Sequence, residues 1–189
     1  MRGTGSSQAS DVKRIVIADA GPLIALAGVG KLDLLPRLFG SVSITAQVAQ
    51  ELITGGPFPD SGVLQAALSQ PWLSNVNIAD LLPDDWLDQC KALMNLYQID
   101  MGETSAMVLA AYVQAQGDTP LLVMDDFRGR VAVQHARISM IGTAGLLLLA
   151  KQVAAIPSVK PLLLAMRQNG YFLSDRLIEV TSRQAGELD

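Results

Sequence analysis

At 189 residues the chain has the size of one domain; half its residues are hydrophobic and only 17% are charged, enough for a core and too few charges for a disordered chain. Aromatics make up 5%, so Leu, Ile, Val and Ala must build that core. A net charge of −4 argues against a protein that coats nucleic acid non-specifically, and a single cysteine, Cys90, beside a single histidine, His135, excludes an intrachain disulfide and a Cys/His metal site.

Residues 1–13 begin polar and Gly/Ser-rich and read as a flexible lead-in with no apolar signal segment; residues 14–189 read as one domain. Residues 14–19 form a β-branched apolar run closed by Gly21-Pro22, the pattern of a buried strand. Pro22 suits the first turn of a helix over residues 23–27, and residues 31–39 form a second helical stretch ended near Gly40. Residues 42–44 are a strand, with Thr45 as N-cap of a helix carrying Val48, Glu51 and Leu52. The Gly/Pro cluster at 55–59 is a loop, followed by a helix over 61–69 and a short strand around 75–78. A helix capped by Asp84 runs to Tyr97, and another covers 103–115, opened by Asp100-Met101-Gly102. Residues 121–124 are a strand ending in Asp125-Asp126, then come a helix to His135, a strand over 138–141 and a helical tail punctuated by Pro157 and Gly170. Strands alternating with helices imply an α/β fold, three-layered, with a mostly parallel central sheet flanked by helices.

Two features bear on location and charge. The longest apolar stretch, residues 138–150, is too short to span a bilayer, so a soluble, cytoplasmic protein with no membrane partner is expected. Residues 1–127 carry 6 Lys/Arg against 14 Asp/Glu, whereas residues 128–189 carry 8 against 4. Either a metal site is flanked by phosphate-binding residues, or the C-terminal helices carry solvated cations.

In open α/β sheets ligands bind beyond the carboxyl ends of the strands. Asp19 ends the first predicted strand and Asp125 and Asp126 end a later one, so both sets project toward one edge, while Glu103 opens a helix whose dipole favours an ionised carboxylate. Several ionised carboxylates at one point repel unless a hard cation screens them or some are protonated. Mg²⁺ and Mn²⁺, which prefer oxygen ligands, fit such a set, and their chemistry suits phosphodiester hydrolysis.

Residues 15–26, Ile-Val-Ile-Ala-Asp-Ala-Gly-Pro-Leu-Ile-Ala-Leu, resemble the opening of a PIN domain. Gly102-Glu103-Thr-Ser-Ala106 is similar to its Gly-Glu motif, and residues 122–130, Leu-Val-Met-Asp-Asp-Phe-Arg-Gly-Arg, are similar to its third acidic motif. The tail, with Pro157, Lys160, Gly170, Tyr171 and Arg176, is similar to a prokaryotic PIN-like branch. The resemblance implies a metal-dependent endoribonuclease using Mg²⁺ or Mn²⁺, of the kind found as the toxin of VapBC-type toxin–antitoxin pairs, with RNA as substrate, an antitoxin as partner and a homodimer as assembly. It places Asp19, Glu103 and Asp126 as metal ligands and catalytic acids, with Asp125 adjacent as a substitute. Neighbouring strand residues face opposite ways, so one of the two aspartates takes the inner place, and Asp126 matches the family's spacing better. Glu51 is a further candidate acid, and Arg128 and Arg130 are candidates for holding substrate phosphate or for pairing with nearby acids. Met124 stands where many members carry Thr or Ser; with the acidic net charge, it motivates the alternative of a catalytically inactive module that binds RNA or protein. An aspartate-nucleophile phosphatase needs a second acid where Gly21 stands, and a receiver domain needs its paired acids at the first strand, so both fit less well.

Overall fold

The computed structural model describes residues 12–54, 61–82 and 85–187. The expected loop at 55–59, the cap Asp84 and most of the expected lead-in lie outside the described residues. Lys13 is already tied down: its N–H donates to Asp118 Oδ1 at 3.0 Å and its carbonyl accepts from the Thr119 N–H at 2.9 Å.

The first strand, β1 (Arg14–Ala18), turns Val16 and Ala18 toward one core and Ile17 toward another, all of them buried. Burial on both faces explains the unbroken apolar run. Helices α1 (Ala20–Gly28) and α2 (Leu34–Phe39) follow, then β2 (Val42–Thr45), α3 (Ala46–Thr54), α4 (Ser61–Leu68) and β3 (Leu73–Val76). The second half runs α5 (Trp86–Tyr97), α6 (Met101–Ala115), β4 (Thr119–Val123), α7 (Phe127–His135), β5 (Ser139–Ile141), α8 (Thr143–Gln152), α9 (Lys160–Gln168) and α10 (Asp175–Gln184). All five strands are parallel, in the order β3-β2-β1-β4-β5. One core packs α1, α3, α4, α8 and α9 against one face, and a second packs α5, α6 and α7 against the other, which is the expected three-layer α/β arrangement. Among the described residues no helix is long and apolar enough to cross a membrane.

Several boundaries differ from the sequence reading, the starts of α1, α2 and β4 among them, and three of the differences have a visible cause in side-chain contacts. Strand β3 ends at Val76 because the Asn77 side chain accepts from the Ala79 N–H and starts a 3₁₀ turn, Ile78–Asp80. Helix α6 begins two residues before Glu103, at Met101, because Asp100 closes a capping box with Glu103. At α5 the cap position falls on Asp85, whose carboxylate accepts from Gln89 Nε2 at 3.2 Å and not from the helix backbone.

Candidate active site

The chain leaves β1 for β2 and β3 on one side, then crosses back to β4 and β5 on the other. The order therefore reverses between β1 and β4, the place where a crevice opens beyond the strand ends. Ala18 pairs with Val123, and the Asp19 N–H donates to the Val123 carbonyl at 3.0 Å, so Asp19 and the Asp125-Asp126 pair leave neighbouring strands at the same level. Asp19 holds the N-cap position of α1, yet its carboxylate makes no capping bond to that helix.

Glu51 and Glu103 arrive from two helices packed on each other, with a buried contact tying the start of α3 to α6. Thr45, as expected, caps α3, accepting from the Val48 N–H at 3.2 Å, and its hydroxyl also bonds the Ser105 hydroxyl of α6 at 2.6 Å. Both hydroxyls are fully buried, and each has its partner. At the head of α6, Asp100 Oδ1 accepts from the Glu103 N–H at 2.8 Å while Glu103 Oε2 accepts from the Asp100 N–H at 3.0 Å.

These contacts bring three carboxylates around the missing side chain of Gly102. A Cβ there would stand 2.7 Å from Glu51 Oε2, 3.3 Å from Asp100 Oδ1 and 3.6 Å from Asp19 Oδ1. Only glycine leaves that space to the acids. Burial pushes Asp19 up to about 7, with Glu103, Asp100 and Glu51 adding to the rise and the Ala20 N–H pulling it down. Glu103 is pushed up to about 7 by burial, with Asp100, Asp126 and Glu51 contributing, and Glu51 is raised by burial and by Asp100. Among the described residues no group of three or more acidic, His or Cys side chains is spaced to hold a metal ion as it stands; the carboxylates instead face the space left by the Gly102 side chain. The donors facing that gap are all carboxylate oxygens, and their mutual repulsion is what a hard divalent cation relieves. A cleft of about 620 Å³ opens beside it, lined by Gln47, Gln50 and Glu51 of α3 and by Asp100, Met101 and Gly102.

The two aspartates after β4 part company. Asp126 caps α7, its Oδ1 accepting from the Gly129 N–H at 2.7 Å, and its charge bears on Glu103. Asp125 turns to the start of α8, where Oδ1 accepts from the Thr143 N–H at 2.8 Å and Oδ2 accepts from the Thr143 hydroxyl and, at 2.6 Å, from the Tyr171 hydroxyl. Met124 between them and the strand is fully buried in the core on the α6 side. Because Asp125 is held by three bonds, the 2.6 Å gap between its Oδ1 and a Cβ placed on Gly142 cannot open freely. Gly142→Ala is expected to cost about 1–3 kcal/mol in urea unfolding.

Arg128 Nη1 donates to the Gln98 carbonyl at 2.9 Å, bracing α7 against the turn between α5 and α6. Arg130 Nη2 comes within 3.6 Å of a Cβ placed on Gly142 and so lies beside Asp125. Elsewhere in the basic half, Lys151, Arg167 and Arg183 pair with Glu187, Asp175 and Glu179, so much of that charge serves the C-terminal helices. Cys90 is fully buried and its thiol is pushed up by burial, which makes it inert, while exposed His135 faces Tyr97 Oη at 3.4 Å from the end of α7.

Asp100 is the residue of this cluster that sequence reasoning passed over as a helix opener. Its signal was there: Asp100-x-x-Glu103 is a capping-box pattern that sets a second carboxylate beside the first.

No curated protein matches the chain in sequence. A family model described as a PIN domain matches residues 15–187, spanning every strand of the sheet and all the acids above. The chain belongs to the PIN-domain family, whose fold is that of nucleases.

Proposed function

We propose that this protein is a metal-dependent endoribonuclease that hydrolyses phosphodiester bonds of RNA. The observation that carries the reading is the gap at Gly102, ringed by oxygens of Asp19, Glu51 and Asp100, with Glu103 and Asp126 adjoining. Asp19, Glu103 and Asp126 would hold Mg²⁺ or Mn²⁺, which when bound neutralises charge on the phosphoryl oxygens and makes water more acidic. Hydrolysis delivers hydroxide to phosphorus and a proton to the departing oxygen. Glu51, half-buried with a raised proton affinity, would be the further acid to take up a proton from the attacking water. Arg130, at the strand-end edge beside Asp125, is the side chain assigned to substrate phosphate, ahead of Arg128, two residues earlier on α7, whose guanidinium is tied to the Gln98 carbonyl. RNA lies along the cleft between α3 and the head of α6.

The test is cleavage of a single-stranded RNA during Mg²⁺ and Mn²⁺ titration, with Glu103→Gln as control. The capping box survives that substitution in its acceptor oxygen, so the helix start stays in place. Cleavage by the wild type and its loss in the variant is the expected result. Metal-independent RNA retention without cleavage in either would favour the inactive binding module. The toxin role, an antitoxin partner, a homodimer and a cytoplasmic location follow family habit; induced expression that left bacterial growth and RNA intact would argue against the toxin role.

A further inference from the structure

Tyr171 belongs to none of the acidic motifs, yet its phenol reaches the carboxylate edge from the far end of the chain. Helix α9 ends in a Schellman reversal: the Gly170 N–H donates to the Arg167 carbonyl and the Tyr171 N–H to the Met166 carbonyl, both at 3.0 Å. Gly170 takes φ +90°, a conformation other residues rarely adopt. Asn169 Nδ2 anchors the same turn to the Gly28 carbonyl at the end of α1. The reversal sends the Tyr171 ring back toward the sheet, where Oη donates to Asp125 Oδ2 at 2.6 Å. Oη also lies 3.4 Å from a Cβ placed on Gly21, a point only 3.7 Å from Asp19 Oδ2. One hydroxyl therefore stands between the acids that end β1 and β4. Burial and the charges of Asp125 and Asp19 hold this phenol far above its ordinary range, so it remains a donor at any working pH.

We infer that Tyr171 is a positioning residue for the carboxylate site. Together with Thr143 it holds Asp125 turned toward α8, so that Asp126, the next residue, is the one presented to Glu103. The inference rests on the reading of those acids as a metal site. Without the hydroxyl, Asp125 keeps only the Thr143 donors, one to each oxygen, so its Oδ2 is held by a single bond and less firmly turned from Asp19, adding repulsion and altering the set of ligands.

The full-length protein and its Tyr171→Phe, Asp125→Asn and doubly substituted variants would be compared by Mn²⁺ binding, read from loss of the free-ion EPR signal, by RNA cleavage and by urea unfolding. Tyr171→Phe keeps the ring and its packing. The expected result is Mn²⁺ affinity weakened about 10- to 100-fold, kcat lowered at subsaturating metal, and KM for RNA unchanged. In the double variant the two losses are expected to be non-additive, because the hydroxyl acts through Asp125. Mn²⁺ affinity unchanged in Tyr171→Phe, or losses that simply add, would overturn the inference while leaving the nuclease reading in place. A wild type that binds no Mn²⁺ would overturn both. A wild type that binds Mn²⁺ but cuts no RNA would sink the nuclease reading alone, with the positioning role still judged by the EPR titration.

Discussion

Asp19→Asn is expected to abolish Mn²⁺ binding and RNA cleavage and, at pH 8 without metal, to raise the melting temperature. The two effects come from one cause. Asp19 is 7% exposed, sits among Glu103, Asp100 and Glu51, and has its carboxyl pushed up to about 7. At pH 8 it is ionised in a place that disfavours the charge, a penalty of about 4 kcal/mol when the rise is converted at about 1.36 kcal/mol per unit. Asparagine keeps the shape and one acceptor oxygen but carries no charge, so the metal-free fold gains. The same substitution removes a charged ligand from the gap at Gly102, and the loss in cleavage is expected on the order of 10³-fold. Calorimetry of the metal-free variant, with cleavage measured on the same preparation, checks both. A variant that lost activity while melting lower would show that Asp19 serves the fold and not a cation.

The metal-free wild type is expected to lose stability as pH rises from about 4 to 7, and Mg²⁺ to restore more of it at pH 8 than at pH 5. Asp19 and Glu103 start from the ordinary carboxylate range of about 4 and are both raised to about 7 in the fold. Across that window the folded chain binds more protons than the unfolded one. Stability is therefore fully present below the unfolded values and is lost as pH climbs through the folded ones. A cation at the acids replaces the protons, so its binding competes with them and strengthens with pH. Ligation to the folded state alone adds stability in proportion to RT ln(1 + [L]/Kd), about 2.7 kcal/mol at a hundredfold excess over Kd. Urea unfolding at pH 5 and pH 8, with and without Mg²⁺, measures the four corners. Equal Mg²⁺ effects at the two pH values would mean that the raised carboxylates are not where the ion binds.

How far the sequence reached is clearest at single residues. Asp19 was legible because a β-branched run closed by Gly21-Pro22 marks both a strand end and a helix start. The parallel sheet was legible from strands alternating with helices. Strand β3 was displaced by two residues because Asn77 turns the chain with its own side chain, a local competition that propensity does not weigh. Glu51 and Asp100 gave only weak or bland signals, since an acid on a helix face and an acid at a helix start are both common without any site.

Which strand ends and helix starts would carry the carboxylates was thus determined by sequence, since burial pattern and turn residues are written locally. Where each one points was decided by the tertiary structure. Glu51 and Asp100 meet at Gly102 because α3 packs on α6, a contact to which the Thr45–Ser105 bond, sixty positions apart in the chain, contributes. Asp125 and Asp126 have the same local chemistry and differ because donors from Thr143, 18 residues on, and Tyr171, 46 residues on, reach the first, while the second caps its own helix. A carboxylate goes where its hydrogen-bond donors are, and for Asp125 those donors come from distant parts of the chain.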